Sequence, residues 1–444
     1  MTANRRIGLW LVGAKGGVAS TTILGLLALR KGLIGTTGLV TELPLLEGLD
    51  LVRWDELIVG GHEIRSLSLA EEAMRVASEM RAIRPDIVAQ CAGELDEIDR
   101  RIRPGTIRNV GPAICRLADP AIPRERSPRE ILDRLRGDIE AFRAAAEVEH
   151  VVVVNVASTE PPVDAAGLPA TWAEMERALN VSGTGHHACM VDVPPAIGTR
   201  SVPDTLPASS LYAIAALDLG CTYINFTPSL GAAPPAIDEL ARLRGGRHCG
   251  VDGKTGETLL KSVLAPMFAR RNLRVLSWVS HNIFGNMDGR VLDDPLHKRS
   301  KVASKEHLLG EILGYRPQSH ISIEYIESLG DWKTAWDHVH FAGFLGTPMT
   351  LQFIWQGCDS VLAAPLVLDL VRLAERARRH GQTGLLRFLA SFFKSPLGVA
   401  EHRFDRQFHM LEAWADEVRA EEKRDLGLGI RKPADCVGGL GAGD

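Results

Sequence analysis

Apolar positions come in short, fully hydrophobic blocks over the first half of the chain. Ile7-Gly-Leu-Trp-Leu-Val12 is such a block, stopped by Gly13, and has the length and boundary of a buried strand. Glycine and small polar residues fill Gly13–Thr22 before an apolar helix, Ile23–Leu29. Gly38-Leu-Val-Thr-Glu42 is a candidate second strand ending in an acid, and Asp55–Glu63 is another strand-to-loop junction with glycines near its exit. Val151-Val-Val-Val-Asn155 is β-branched without interruption, which predicts a central parallel strand buried on both faces. Thr222–Ser229 reads as a further strand ending in small polar residues. Helices are predicted around Ala70–Ala82, Arg129–Ala146 and Ser210–Leu217, and the proline-punctuated Pro104–Pro128 as a surface excursion.

The pattern then changes. Leu259–Val279 is apolar but broken by Lys261 and by Arg270, Arg271 and Arg274, and His320–Ile326 alternates as a half-buried antiparallel strand does. A second alternating run leads to Gly357-Cys-Asp-Ser360 and an apolar helix, Val361–Leu373, with a basic end. Residues from about 375 are helical and rich in basic groups, and Val437–Asp444 is a glycine-rich tail. The chain is therefore an α/β protein whose βα repeats give way near residue 245 to strands and loops, with no internal repeat.

Composition narrows the class. The 444 residues suffice for two domains, and 45% hydrophobic with 24% charged residues is ordinary for a globular protein. A net charge of −4 argues against a general nucleic-acid or anionic-membrane binder. Seven cysteines, with no Cys-x-x-Cys pair, suggest reduced thiols in a cytoplasmic protein and offer no zinc signature. The basic N-terminus is followed by too short an apolar run for a signal peptide, and no stretch of about 18 apolar residues predicts a membrane span.

Two regions carry candidate chemistry. Strand, glycine turn and helix across residues 7–29 form a phosphate-binding layout, in which glycines let the backbone approach a pyrophosphate at a helix N-terminus. Lys15-Gly-Gly-Val resembles the start of a variant P-loop, but Ala19-Ser20 stands where its gripping Gly-Lys belongs. The alternative is a modified dinucleotide turn made by Gly13, Gly16 and Gly17, with Ser20 in place of the third glycine and Glu42 a candidate ribose partner. The second region, Gly250–Lys305, strings together Gly250–Thr258, Ser280–Gly289 and the basic His297–Lys305. Such loops on buried scaffold segments are where binding chemistry concentrates.

Spaced motifs in these regions and beyond resemble the myo-inositol-1-phosphate synthase family over nearly the whole chain. They are Asp252-Gly-Lys-Thr-Gly-Glu-Thr258, Lys261-Ser-Val-Leu264, Gly285-Asn-Met-Asp-Gly289, Arg299-Ser-Lys301 with Lys305, Gly330-Asp-Trp-Lys333 and Asp359-Ser-Val-Leu-Ala-Ala-Pro365. Ile58–Gly61, Ala157–Glu160, Leu211–Ile214 and Ile224-Asn225 add to them in the first half. The resemblance implies a Rossmann-type NAD-binding domain interrupted by an inserted α+β domain that carries catalysis and tetramer assembly. On this sequence the division is 1–245, 246–375 and a returning segment 376–444. It also implies a sugar-phosphate substrate, glucose 6-phosphate. That substrate is oxidised at C5 by NAD, enolised, closed onto its aldehyde and re-reduced, so that the net reaction is an isomerisation. A monovalent or divalent cation accompanies some family members.

Carried over position by position, the resemblance assigns the cofactor to Gly16, Gly17, Val18, Ala19, Glu63, Ala157, Ser158, Thr159, Thr227, Asp252, Thr255, Asn286, Met287, Asp288, Asp359 and Ser360. It assigns catalysis to Lys301, Lys305, Lys333, Asp252, Asp331 and Asp359, with Arg406 at the late family lysine. Physical reasoning agrees with the residue types. Oxidation of a hydroxyl needs a proton acceptor, developing oxyanions need fixed positive charge, and a partly desolvated lysine can serve both ends. The chain departs from the family pattern at Val18-Ala19, Ser20, Met287, Glu324 and Arg406.

Overall fold

The computed structural model describes residues 5–78, 81–125, 127–180, 206–292 and 308–425. Its larger sheet contains β1 (Ile7–Val12), β2 (Leu57–Glu63), β3 (Ile102–Pro104), β4 (His150–Asn155), β5 (Thr222–Asn225), β6 (Arg247–Gly250) and a two-residue strand from the C-terminal part, Gly384–Leu385. The order, starting from that last strand, is β6-β5-β4-β1-β2-β3, and every neighbouring pair is parallel. The uninterrupted valines of β4 have a plain cause. Val152 and Val154 pack into the layer formed with helices α1 (Gly17–Arg30) and α2 (Leu69–Ser78), whereas Val151 and Val153 pack against α3 (Pro128–Ala145) and α4 (Ala208–Asp218). Both faces are buried, so neither can be polar. The direction of winding reverses between β1 and β4, whose last residues, Val12 and Asn155, lie side by side. Open α/β sheets form their ligand crevice at such a point.

The smaller sheet holds β7 (Arg274–Phe284), β8 (Gln318–Tyr325), β9 (Trp332–Ala342) and β10 (Pro348–Cys358), in the order β10-β9-β7-β8. Its inner face packs on helix α5 (Glu257–Arg270), where Phe268 meets Trp278 edge-on at 6.2 Å and Phe341 at 4.9 Å. A buried ion pair, Glu257 to Lys261 at 2.6 Å, lies under β9. Asp337 on β9 stands 3.7 Å from that lysine and accepts the Trp278 indole N–H at 2.6 Å, so α5 is fixed to the sheet. Burial raises the Asp337 carboxyl above its usual range, and Lys261 opposes that rise. The outer face is half-exposed and carries Trp336 stacked on His281 at 5.5 Å. The chain then returns to the larger sheet through α6 (Asp359–Arg379), which packs on α1, and ends its described part in α7 (Phe404–Asp425).

Several expectations change. Gly38–Glu42 is not a strand: Val40–Glu42 forms a tight turn, because Asp369 on α6 accepts the N–H groups of Val40 at 2.8 Å and Thr41 at 2.9 Å. Donors held by a side chain are lost to a ladder. The change of architecture comes after residue 245, since β6 still extends the parallel sheet. β8 pairs with β7 in parallel rather than antiparallel, which the long connection between them permits. Pro104–Pro128 is no mere surface excursion. Thr106 donates its N–H to the buried Tyr212 hydroxyl at 2.9 Å, which pulls the segment over the end of the sheet. Cys91, Cys221, Cys249 and Cys358 are free and buried. Among the described residues no helix is long and apolar enough to cross a membrane.

Candidate active-site cleft

The carboxyl ends of β1, β2, β4 and β5 open into a solvent-connected cleft with a cavity volume of about 220 Å³. At one end the turn after β1 folds back over β2, where Gly13 and Ala14 donate to the His62 carbonyl at 2.9 and 3.0 Å. Gly13 has φ of +80°, and a Cβ there would stand 2.9 Å from the Ala157 backbone, so this corner admits only glycine. A Cβ on Gly17 would lie 2.7 Å from the Ser360 hydroxyl. Helix α1 starts at Gly17 with no side-chain cap at Gly16, leaving its first N–H groups and positive dipole end toward the cleft. A cradle of this shape fits a dinucleotide pyrophosphate. It does not fit a P-loop. The Lys15 ammonium turns away, donating to the Leu67 carbonyl at 2.7 Å and pairing with Asp99 at 2.9 Å.

Glu63 ends β2 and accepts the Lys15 N–H at 2.8 Å. It stands at the strand end from which a doubly wound sheet presents a ribose partner, a position Glu42 does not occupy. The spacing rule misleads because residues 31–56 form an excursion clasped by Asp369 and Arg372. Beside β4, Asn155 donates to the Thr227 hydroxyl at 3.3 Å. Glu160 is fully buried at the cleft wall, where it accepts the Ser209 N–H at 2.8 Å near the start of α4. Burial pushes its carboxyl up to about 7, against the bonds from Ser209.

At the other end the site is built by backbone pairing between distant segments. Val251 and Ser395 exchange N–H···O bonds at 3.1 and 3.2 Å, Lys254 donates to the Phe392 carbonyl at 2.8 Å, and Lys394 donates its N–H to the Asp252 carbonyl at 2.7 Å. Asp252 takes a left-handed φ of +65°, a conformation that Asp tolerates better than most residues. The result is a side-chain ion pair. The Lys394 ammonium donates to Asp252 Oδ1 at 2.7 Å, with both side chains largely buried and both lining the cleft. Asp252 Oδ2 is buried and has no hydrogen-bond partner among the described residues.

Further carboxylates surround this pair. Asp331 accepts Asn286 at 3.1 Å, the Cys358 thiol at 2.9 Å and the Ser360 N–H at 2.8 Å, and burial raises its carboxyl despite those last two bonds. Asp359 is the first residue of α6 and donates its N–H to the Asp331 carbonyl at 3.1 Å. Asp288 accepts the Thr159 hydroxyl at 3.1 Å, joining the turn after β7 to the one after β4. Behind Lys394 sits Lys254, only 3% exposed, donating to Gln407 at 2.5 Å. Burial, with Lys394 close by, brings its ammonium down to about 7.

The expected site residues divide as follows. Gly16, Gly17, Val18, Glu63, Ala157, Ser158, Thr159, Thr227, Asp252, Thr255, Asn286, Met287, Asp288, Asp331, Asp359 and Ser360 all line the cleft. Ala19 lies buried just beneath, in the first turn of α1. Lys333 does not line the cleft, and its ammonium lies 5.4 Å from the Phe284 ring centre. Lys301 and Lys305 fall outside the described residues. Arg406 is corrected. It is exposed on α7, and the helix turns Gln407 inward instead, so the late basic residue at the site is Lys394. Sequence reasoning missed Lys394, although a lone lysine within Ser391-Phe-Phe-Lys-Ser-Pro-Leu397 was a usable signal. It also missed Arg65 and the wall formed by Thr106, Val110 and Ile114.

Comparison with known proteins adds an independent line. A family model described as myo-inositol-1-phosphate synthase matches residues 7–416. Inositol-3-phosphate synthase 1 of Bacteroides thetaiotaomicron is 31% identical over 424 residues, which cover 90% of this chain and 92% of that protein. The rat protein of the same name is 30% identical over 369 residues, covering 79% of this chain but only 61% of the relative. The structure of inositol-3-phosphate synthase from Caenorhabditis elegans superposes with a TM-score of 0.79 at 24% identity, covering 97% of this chain and 89% of that one. A myo-inositol-1-phosphate synthase-related protein from Thermotoga maritima gives 0.70 at 24% identity, covering 93% and 99%. At that identity the two structures speak for the fold alone.

Proposed function

Because the chain belongs to the myo-inositol-1-phosphate synthase family, we propose that it cyclises glucose 6-phosphate to an inositol monophosphate, using NAD without consuming it. The observation that carries this reading is the meeting, in one cleft, of a dinucleotide-type glycine turn with the Asp252–Lys394 pair and its unpartnered carboxylate oxygen. NAD⁺, when bound against the turn, supplies a reversible hydride acceptor for the sugar's C5, which keeps the overall reaction redox-neutral. Asp252 Oδ2 offers the acceptor that takes the sugar hydroxyl's proton, and the Lys394 ammonium, bound at Oδ1, can give a proton to the re-forming hydroxyl and be recharged through Asp252. Asp331 and Asp359 hold the floor of the site. Helix α5, uncapped at Gly256 and preceded by the cleft-lining Thr255, offers its N-terminus to the substrate phosphate. Family likeness leaves the C6 proton and the closing aldehyde to Lys301, Lys305 and Lys333.

In the same reading the parallel sheet with its returning C-terminal helices holds the cofactor. The smaller sheet, whose outer face presents Trp336, His281 and an Ile354 that is 69% exposed, serves homotetramer assembly in the cytoplasm. A second reading, a cyclase of the same fold acting on another sugar phosphate, draws on Met287. It lines the cleft where family likeness expects an asparagine. Phosphorus NMR of the purified protein with NAD⁺ and glucose 6-phosphate separates the two. An inositol monophosphate signal supports the first, and an inert glucose 6-phosphate beside turnover of a different hexose or ketose phosphate supports the second.

A further inference from the structure

Two arginines stand at the dinucleotide end of the cleft, Arg65 two residues beyond Glu63 and Arg75 on α2. In a doubly wound sheet the end of β2 faces the adenosine ribose. An acid there suits a free 2′-hydroxyl, and a nearby arginine suits a 2′-phosphate. This chain has both, bound to each other. Glu63 Oε1 accepts Arg65 Nε at 3.3 Å and Oε2 accepts Nη2 at 3.2 Å, a fork-to-fork pairing of planar groups. The same carboxylate accepts the N–H groups of Lys15 and Ile64 at 2.8 Å and of Arg65 at 3.2 Å, so it is clamped in place and only 6% exposed. Arg75 is likewise held by Glu72, at 2.9 and 2.7 Å, and Lys15 by Asp99 at 2.9 Å.

Each of these cations already has its counter-ion. A dianionic 2′-phosphate entering here would gain no uncompensated positive charge and would be forced against Glu63. A neutral ribose diol meets no such penalty, because it brings no negative charge against Glu63.

We propose that Glu63 selects NAD over NADP by sequestering Arg65, so that the chain contains a 2′-phosphate site held shut by one carboxylate. The inference deepens the NAD reading of the cleft and rests on it. Arg65 is then the specificity-determining cation. Its guanidinium is fixed near the ribose by the short Glu63–Ile64–Arg65 connection and needs only the loss of its partner's charge to become available.

The test measures equilibrium binding of NADH and NADPH to the full chain by nicotinamide fluorescence, in four proteins: wild type, Glu63→Gln, Arg65→Ala and the double variant. The wild type should favour NADH by about a hundredfold or more, the scale of a like charge held against a phosphate. Glu63→Gln, which keeps the side chain's shape and one carbonyl acceptor, should bind NADPH at least about tenfold tighter than wild type, and the double variant should lose that gain. Arg65→Ala leaves Glu63 unneutralised and should reject NADPH about fivefold more strongly than wild type, which decides the matter even if Glu63→Gln fails to fold. A cofactor ratio that Glu63→Gln does not move, a gain that survives loss of Arg65, or an Arg65→Ala protein no more selective than wild type would each overturn the proposal. A wild type that binds neither nucleotide would instead refute the NAD reading itself.

Discussion

The two ends of the cleft are charged alike but wired differently. At the dinucleotide end Glu63, Arg65, Glu72, Arg75, Lys15 and Asp99 form closed ion pairs. At the substrate end Lys394 binds one oxygen of Asp252, and among the described residues the other, buried oxygen has no partner. A buried acceptor without a partner costs on the order of 1–3 kcal/mol, a cost a fold retains where a ligand supplies the missing donor. Closed pairs position a cofactor that must stay put, and an open one receives a substrate that must react and leave.

If that contrast is right, the largest effect should fall at the open end. Lys394→Gln keeps a donor toward Asp252 but cannot exchange a proton, so turnover should drop about a thousandfold while NADH binding changes less than about threefold. A variant retaining a tenth of wild-type turnover would remove Lys394 from proton transfer. At the closed end, Gly13→Ala should act on binding. The left-handed φ of +80° and the 2.9 Å approach to Ala157 together push the turn off its path, weakening NADH by about tenfold for a strain of about 1–2 kcal/mol. Unaltered NADH titration would show that the turn does not carry the cofactor.

A smaller effect should appear in stability against pH. With its ammonium brought down to about 7, Lys254 leaves the folded chain with fewer protons than the unfolded one from about pH 7 up to the ordinary lysine range. Wild-type stability therefore rises with pH across that window, and the cost of charging the buried amine is fully present below it. Lys254→Met removes that cost, so its melting temperature should exceed wild type's by a margin that widens as pH falls from 10 toward 7. Parallel melting curves would contradict this. The smallest effect belongs to Arg406→Ala. An exposed side chain on α7 should leave turnover within about twofold.

How much of this could be read from the chain alone depends on distance along it. β1 and β4 were legible because each is a local apolar run with a glycine or asparagine at its end, and both faces of the sheet demand such runs. Helix α6 was legible from Val361–Leu373. The glycine turn's residues were legible too, but not the choice between two phosphate-binding uses. That choice depends on where the Lys15 side chain points, and Asp99 and Leu67, which hold it, come from distant segments. Glu42 neither ends a strand nor lines the cleft, because an excursion of some two dozen residues separates α1 from β2 and a spacing rule cannot see it. Lys394 was missed for the same kind of reason. It reaches Asp252 across 142 residues, through backbone pairing that leaves no periodic trace. Arg406 was chosen because its neighbours looked right, and one helical step decides that Gln407 faces inward instead.

The most direct measurement follows deuterium placed at C5 of glucose 6-phosphate during turnover with NAD⁺ far below substrate concentration. The account expects inositol monophosphate that retains the label on the corresponding ring carbon, with no net NADH absorbance at 340 nm. Absence of inositol monophosphate, or reduced cofactor accumulating in step with substrate loss, would contradict it.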